Sequence, residues 1–179
     1  GPKEVVTKMH TYNLRDYQAF DLIQLGIKMS QAPIKSGLIL SEQRTGKTRV
    51  AVASVLENMP EGVVTVICPK SAIAGWVDEF NAMNTHLRET MFSVKVLKHL
   101  RDMHSKTPPK IETPCTVKIV TYELFKMCTV TQLKSAMYGD SNNIFLIIDE
   151  AHRLRNFKTQ QSDVIFKFKS VFIAYYNSC

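Results

Sequence analysis

A chain of 179 residues is long enough to bury one sizeable core and too short for two full-sized domains, so one domain spanning 1–179 is expected. With 23 Lys plus Arg against 16 Asp plus Glu, the formal net charge is +7 and the pI near 9.3, a balance that favours polyanionic partners. No apolar run approaches bilayer-spanning length, and the amino end lacks the charged-then-apolar order of a secretory signal. The expectation is an intracellular protein (cytoplasm or nucleus, or the host cell if viral) with no membrane partner.

Gly1-Pro2, without an initiating methionine, reads as a scar of tag removal and is set aside. From Tyr12 to Lys28 the spacing predicts an amphipathic helix, with Asn13 as N-cap candidate and Tyr17, Phe20, Leu22, Ile23 and Ile27 on its apolar face. Gln18 on this helix has two readings, a packing residue or an amide that reads a purine edge. Gln31 to Ser36, with Pro33, is a connector.

Gly37 to Leu40 is a short apolar run of the buried-strand kind, Ser41 to Gly46 is polar and ends in glycine, and Val50, Val52, Val55 and Leu56 follow at near-helical spacing. Strand, loop and helix form the context in which Gly46-Lys47-Thr48 binds phosphate. Backbone N–H groups cradle the nucleotide, the helix start adds positive potential, Lys47 reaches the outer phosphates, and the Thr48 hydroxyl ligates magnesium. The bland alternative is a loop that merely contains these three residues; the strict motif also wants glycine where Ser41 stands.

Met59 to Gly62 is a turn, and Val63 to Cys68 a β-branched run that reads as a buried strand. Pro69-Lys70-Ser71 breaks it. Ala72 to Met83 then carries Ile73, Trp76, Val77 and Phe80 at helical intervals, with Ser71 as the expected cap and Trp76 as a core anchor in preference to a base-stacking residue. Lys70 and Ser71 stand at a strand's carboxyl end, where parallel sheets bind ligands and phosphates find donors.

Phe92 to Leu97 is a short strand candidate, and the basic stretch Lys98 to Lys110 is expected to be a solvated loop. Val117 to Tyr122 reads as a strand, Glu123 to Lys126 as the start of a short helix, and Tyr138 to Asn143 as a polar turn. Ile144 to Ile148 is then an apolar run that delivers Asp149 and Glu150. Strands alternating with helices, each strand nearly all apolar, predict an α/β fold with a mainly parallel sheet covered on both faces. Acids at its carboxyl edge suit a metal-dependent NTPase: one carboxylate holds magnesium, its neighbour orients or deprotonates the attacking water. The alternative for Asp149 is a helix cap. Cys68, Cys115, Cys128 and Cys179 lack metal-ligand spacing, so neither zinc nor disulfides are expected, and of the five histidines only His152 lies within a motif.

Ile147-Ile148-Asp149-Glu150-Ala151-His152-Arg153-Leu154-Arg155-Asn156 resembles the second motif of Swi/Snf-type ATPases in helicase superfamily two, a DEAH-like run. Leu14 to Gln18 resembles that family's adenine-side motif, Cys68 to Ser71 with Trp76, Glu79 and Phe80 its motif at the DNA backbone, and Val120 to Glu123 the next one. Lys158, Thr159 and Ser162 continue its usual run after the acids. The resemblance covers nearly the whole chain and implies a RecA-like first lobe that uses ATP and magnesium to track along DNA, duplex in preference to single strand. It implies that Gln18 contacts adenine, that Arg44, Thr45, Gly46, Lys47 and Thr48 surround the phosphates, and that Thr48 and Asp149 hold the metal. It further implies that Glu150 activates water, that His152 couples the site to later motifs, and that Pro69, Lys70, Ser71, Thr121 and Tyr122 line the DNA side.

Two departures stand out. Arg44 replaces a glycine, and after Val171-Phe172-Ile173-Ala174 the chain reads Tyr175-Tyr176-Asn177-Ser178-Cys179 where the family has a Thr-Gly-Thr-Pro-like motif. The expectation is a first lobe whose partner lobe, in cis or in trans, supplies the transition-state arginine, so that this chain alone hydrolyses ATP weakly or not at all. The competing reading is a stand-alone lobe that binds DNA or protein, with hydrolysis vestigial.

Overall fold

The computed structural model describes Arg15, Gln18 and residues 36–40, 46–58, 61–104, 113–129, 131–132, 144–150 and 171–175. In chain order these form β1 (Ser36–Leu40), α1 (Lys47–Asn58), β2 (Gly62–Cys68), α2 (Ile73–Leu87), β3 (Phe92–Leu97), β4 (Cys115–Thr121), α3 (Tyr122–Met127), β5 (Ile144–Asp149) and β6 (Val171–Tyr175). Short 3-10 turns occupy Lys70–Ala72 and Leu100–His104. The strands make one six-stranded sheet in the order β3-β4-β2-β5-β1-β6, with every pairing parallel. This is the α/β class that the alternating pattern predicts.

Composition explains the layering. Central β2, apolar from Val63 through Cys68 except for Thr65, is buried along that whole run and paired with neighbours on both edges. Edge strand β3 instead exposes Ser93 and Lys95 and buries its ends, Phe92 and Leu97. Val50, Ala51, Val52, Ala53 and Val55 of α1 have no exposed surface, so this helix is enclosed nearly all round. α2 is amphipathic and buries Trp76, Phe80 and Met83. The Phe80 ring lies 6.3 Å from Trp76 and meets Phe92 edge-on at 5.0 Å, joining α2 to β3 through aromatic contacts.

Register sets where the chemistry can be. Leu40 pairs with Asp149, Ile67 with Ile148 and Cys68 with Thr121, so β1, β2, β4 and β5 end along one edge. The segments leaving those four strands therefore emerge side by side, the arrangement that parallel sheets use for ligands.

Four local expectations change. Ser71 does not cap α2: Ala72 occupies the cap position without a side-chain bond, because the Ala72 N–H reaches the Pro69 carbonyl at 2.9 Å and closes a 3-10 turn first. α2 also runs past Met83 to Leu87, ending where Arg88 takes a left-handed conformation, φ 55°, with the Glu89 N–H on the Asn84 carbonyl at 3.3 Å. β4 stops at Thr121, whose hydroxyl accepts the Leu124 N–H at 3.1 Å, so Tyr122 opens α3 instead of closing the strand. Within the basic stretch, residues 98–104 are ordered: Asp102 accepts the N–H groups of Lys98 and His99 at 2.9 Å each, and Met103 is buried. Those two bonds hold the Asp102 carboxyl below the usual carboxylate range.

Candidate functional site

α1 starts at Lys47 immediately after Gly46, whose φ of +93° lies in the region that side chains disfavour. A Cβ on Gly46 would sit 2.1 Å from Nε2 of Gln18, so glycine is favoured by conformation and any larger residue also displaces the end of the Gln18 side chain. Gln18 is helical and buried; its amide donates to the Gly46 carbonyl at 3.2 Å and accepts the Arg15 N–H at 2.9 Å. The residue expected to face a purine thus also braces the turn that introduces Lys47.

Lys47 projects from the first turn of α1 to the end of β5. Its ammonium donates to Oδ1 of Asp149 at 2.5 Å, and both side chains are 5% exposed. Oδ2 of the same carboxylate accepts the indole N–H of Trp76 at 3.0 Å. The Asp149 carbonyl accepts the Tyr122 hydroxyl at 2.7 Å, and the Glu150 carbonyl lies 3.3 Å from that hydroxyl. Three elements, α1, α2 and α3, therefore converge on one acid. Glu150 follows with φ 55°, left-handed, which turns the chain sharply as it leaves the strand.

An open cleft of about 420 Å³ lies over these groups, lined by Lys47, Thr48, Arg49 and Gly46 on one side, by Ser71, Ala72, Gly75, Trp76 and Glu79 on another, and by Asp149 at its base. Arg49 and Glu79 span α1 and α2 with an ion pair of 3.3 Å that is partly open to water. The negative character of the edge registers on a buried neighbour: burial, and after it the charges of Asp149, Glu123 and Glu150, push the Cys68 thiol up to about 12. Cys68, Cys115 and Cys128 are buried free thiols.

The donor set fits a magnesium nucleotide. Among the described residues no group of three or more His, Cys, Asp and Glu is arranged to hold a metal by itself. Magnesium bound through phosphates and water needs no such cage, only a carboxylate and a hydroxyl of the kind that Asp149 and Thr48 place at one cleft. Lys47, paired with Asp149, is a cation lining the same cleft, and its charge suits phosphate oxygens.

The structure brings Gln18, Gly46, Lys47, Thr48, Asp149 and Glu150 to one edge. Of the residues expected on a DNA side, Lys70 and Ser71 are exposed, with Ser71 also lining the cleft. Pro69 and Tyr122 are buried, and the Thr121 hydroxyl accepts the Leu124 N–H in the α3 cap. Arg44, Thr45 and His152 lie outside the described residues, as do Ser41, most of Tyr12 to Lys28, the Pro33 connector, Tyr138 to Asn143, Lys158, Thr159, Ser162 and the end from Tyr176 to Cys179. The sequence favours a core role for Trp76 over base stacking. It is in the core, 1% exposed, yet it also bonds the acid. The available signal was chemical: a buried indole N–H needs an acceptor, and an apolar stripe supplies none.

A sequence profile described as the SNF2-related domain matches residues 17–171. The chain belongs to the SNF2-related family. It is thus a Swi/Snf-type member of helicase superfamily two, a family of ATPases with a RecA-like lobe. It is 29% identical over 162 residues to the human protein called SWI/SNF-related matrix-associated actin-dependent regulator of chromatin subfamily A member 1, and equally to its mouse counterpart. Those alignments cover 88% of this chain and 14% of either relative, so the SNF2-related chain spans about a seventh of the length of the curated proteins it matches. No helix among the described residues is long and apolar enough to cross a membrane.

Proposed function

We propose that this chain is the ATP-binding lobe of a DNA-dependent ATPase and translocase, a single domain over 1–179 that couples hydrolysis to movement on DNA when joined to a second RecA-like lobe. The observation that carries the reading is the meeting of Lys47 and Asp149 across one cleft, from the start of α1 and the end of β5. A phosphate-binding cation and a metal-binding carboxylate within one bond of each other define a nucleotide site more sharply than either motif does alone.

In this reading Lys47 and the amides at the start of α1 bind the outer phosphates, and Gln18, together with Arg44 and Thr45 just before Gly46 in sequence, borders the nucleotide. Thr48 and Asp149 hold magnesium, which when bound neutralises phosphate charge and polarises the phosphoryl group. Glu150, the residue after Asp149, accepts a proton from the attacking water, and His152 relays the site's state onward. The second lobe, in cis or in trans, contributes the arginine, an element worth roughly a thousand-fold or more in rate. The chain alone is therefore expected to bind ATP and turn it over slowly.

The net charge of +7, with Lys70 and Ser71 exposed beside the cleft, supports phosphate-backbone contacts to duplex DNA that position without reading sequence. The relatives' names, regulators of chromatin, favour a nuclear setting with DNA in chromatin as the partner. Binding of duplex DNA across a salt series tests the DNA side. Lys70→Ala is expected to weaken binding evenly across sequences and to reduce the slope of log K on log salt by about 0.9. An unchanged slope removes Lys70 from the interface. Turnover that duplex DNA fails to stimulate, in a chain carrying the second lobe, contradicts the translocase reading and leaves the stand-alone binding lobe.

A further inference from the structure

We infer that Trp76 is a positioning residue for Asp149, setting the orientation of the carboxylate that receives magnesium; the inference rests on the nucleotide-site reading above. A carboxylate at the end of a strand rotates freely unless both of its oxygens are held. Lys47 holds Oδ1 of Asp149 and Trp76 holds Oδ2 at 3.0 Å. The two donors differ in permanence. The Lys47 ammonium terminates a flexible stem and also serves incoming phosphate. The Trp76 indole is rigid, 1% exposed, and packed on Phe80 within the core cluster that includes β2 and β5 residues. When Lys47 turns to phosphate, Trp76 remains and keeps Oδ1 directed at the cleft that both residues line. A carboxylate ligand oriented by an outer hydrogen bond binds its metal more tightly, typically about 10- to 100-fold.

Trp76 also lies within α2, directly after the exposed Lys70–Ala72 turn, so the element that fixes Asp149 is the one that a contact at Lys70 would push. The expected consequence is confined to magnesium. Phenylalanine at this position keeps an aromatic ring beside Phe80 but removes the N–H together with the five-membered ring, so folding of the variant is verified by circular dichroism.

The test measures ADP affinity calorimetrically across a series of free magnesium concentrations, and in EDTA, for the wild type, Trp76→Phe and Asp149→Asn. Trp76→Phe is expected to need about tenfold more magnesium for the half-maximal effect while its affinity in EDTA stays that of the wild type. If Asp149→Asn loses the magnesium effect and Trp76→Phe keeps it unshifted, the positioning role is overturned and the nucleotide site stands. If Asp149→Asn keeps it too, the site reading itself falls and takes the inference with it. A second readout keeps Trp76 in place. Trp76 is the single tryptophan of the chain, so the fluorescence of the nucleotide-free protein reports the surroundings of its indole. Emission that differs between the wild type and a folded Asp149→Ala variant supports the bond, and identical emission overturns it.

Discussion

The hydroxyl of Tyr122 donates to the main-chain carbonyl of Asp149 at 2.7 Å, joining the first residue of α3 to the turn that carries both acids. Tyr122 is 4% exposed, so the bond is made away from competing water. The turn it holds is costly in itself, because Glu150 adopts φ 55° without being glycine.

Tyr122→Phe is therefore expected to lower stability by about 1–3 kcal/mol, the cost of leaving a buried acceptor without its donor. Urea unfolding reads this as a lower midpoint with an unchanged slope. A midpoint equal to that of the wild type would show that the bond holds nothing.

Gly46 gives a sharper case. Alanine there meets both a disfavoured φ of +93° and the Gln18 amide at 2.1 Å. Gly46→Ala is expected to destabilise by about 1–3 kcal/mol through backbone strain alone, with the clash added. Combining it with Gln18→Ala relieves the clash but not the strain, so the double mutant is expected to be more stable than the sum of the single losses predicts. Strict additivity in thermal or urea unfolding would separate Gln18 from this turn.

The thiols predict a pH dependence. Burial pushes Cys68, with the nearby acids, and Cys115, with Glu61, from an ordinary 9.0 up to about 12. The folded protein then holds protons that the unfolded chain has released, so this contribution is complete below pH 9 and is lost as pH rises toward about 12. The slope is on the order of 1.4 kcal/mol per pH unit for each thiol. A Cys68→Ala, Cys115→Ala variant is expected to lose less stability than the wild type over that window; parallel curves would contradict the assignment. In the native protein both thiols are also expected to resist alkylation at pH 8, mapped by mass spectrometry.

Much of this was readable from residue types. The apolar runs Gly37 to Leu40, Val63 to Cys68 and Ile144 to Ile148 became β1, β2 and β5, and Val63 to Cys68 and Phe145 to Ile148 are buried. Boundaries shifted where a local hydrogen bond outcompeted pattern, as at Thr121 and Pro69. The pairing of β1 with β5 is a long-range fact with no local trace, and with it the contact between residues 47 and 149. Trp76 shows the same limit. Periodicity places it on the buried face but does not say which acid lies opposite, because that depends on how α2 sits over the end of β5.

The central claim is that Lys47 and Asp149 mark a nucleotide site, and equilibrium binding of ATP with magnesium to the wild type and to Lys47→Ala, with folding verified by circular dichroism, tests it most directly. Loss of a charged hydrogen bond to phosphate is expected to weaken affinity about 10- to 100-fold. Equal affinity in a folded Lys47→Ala protein would contradict the site.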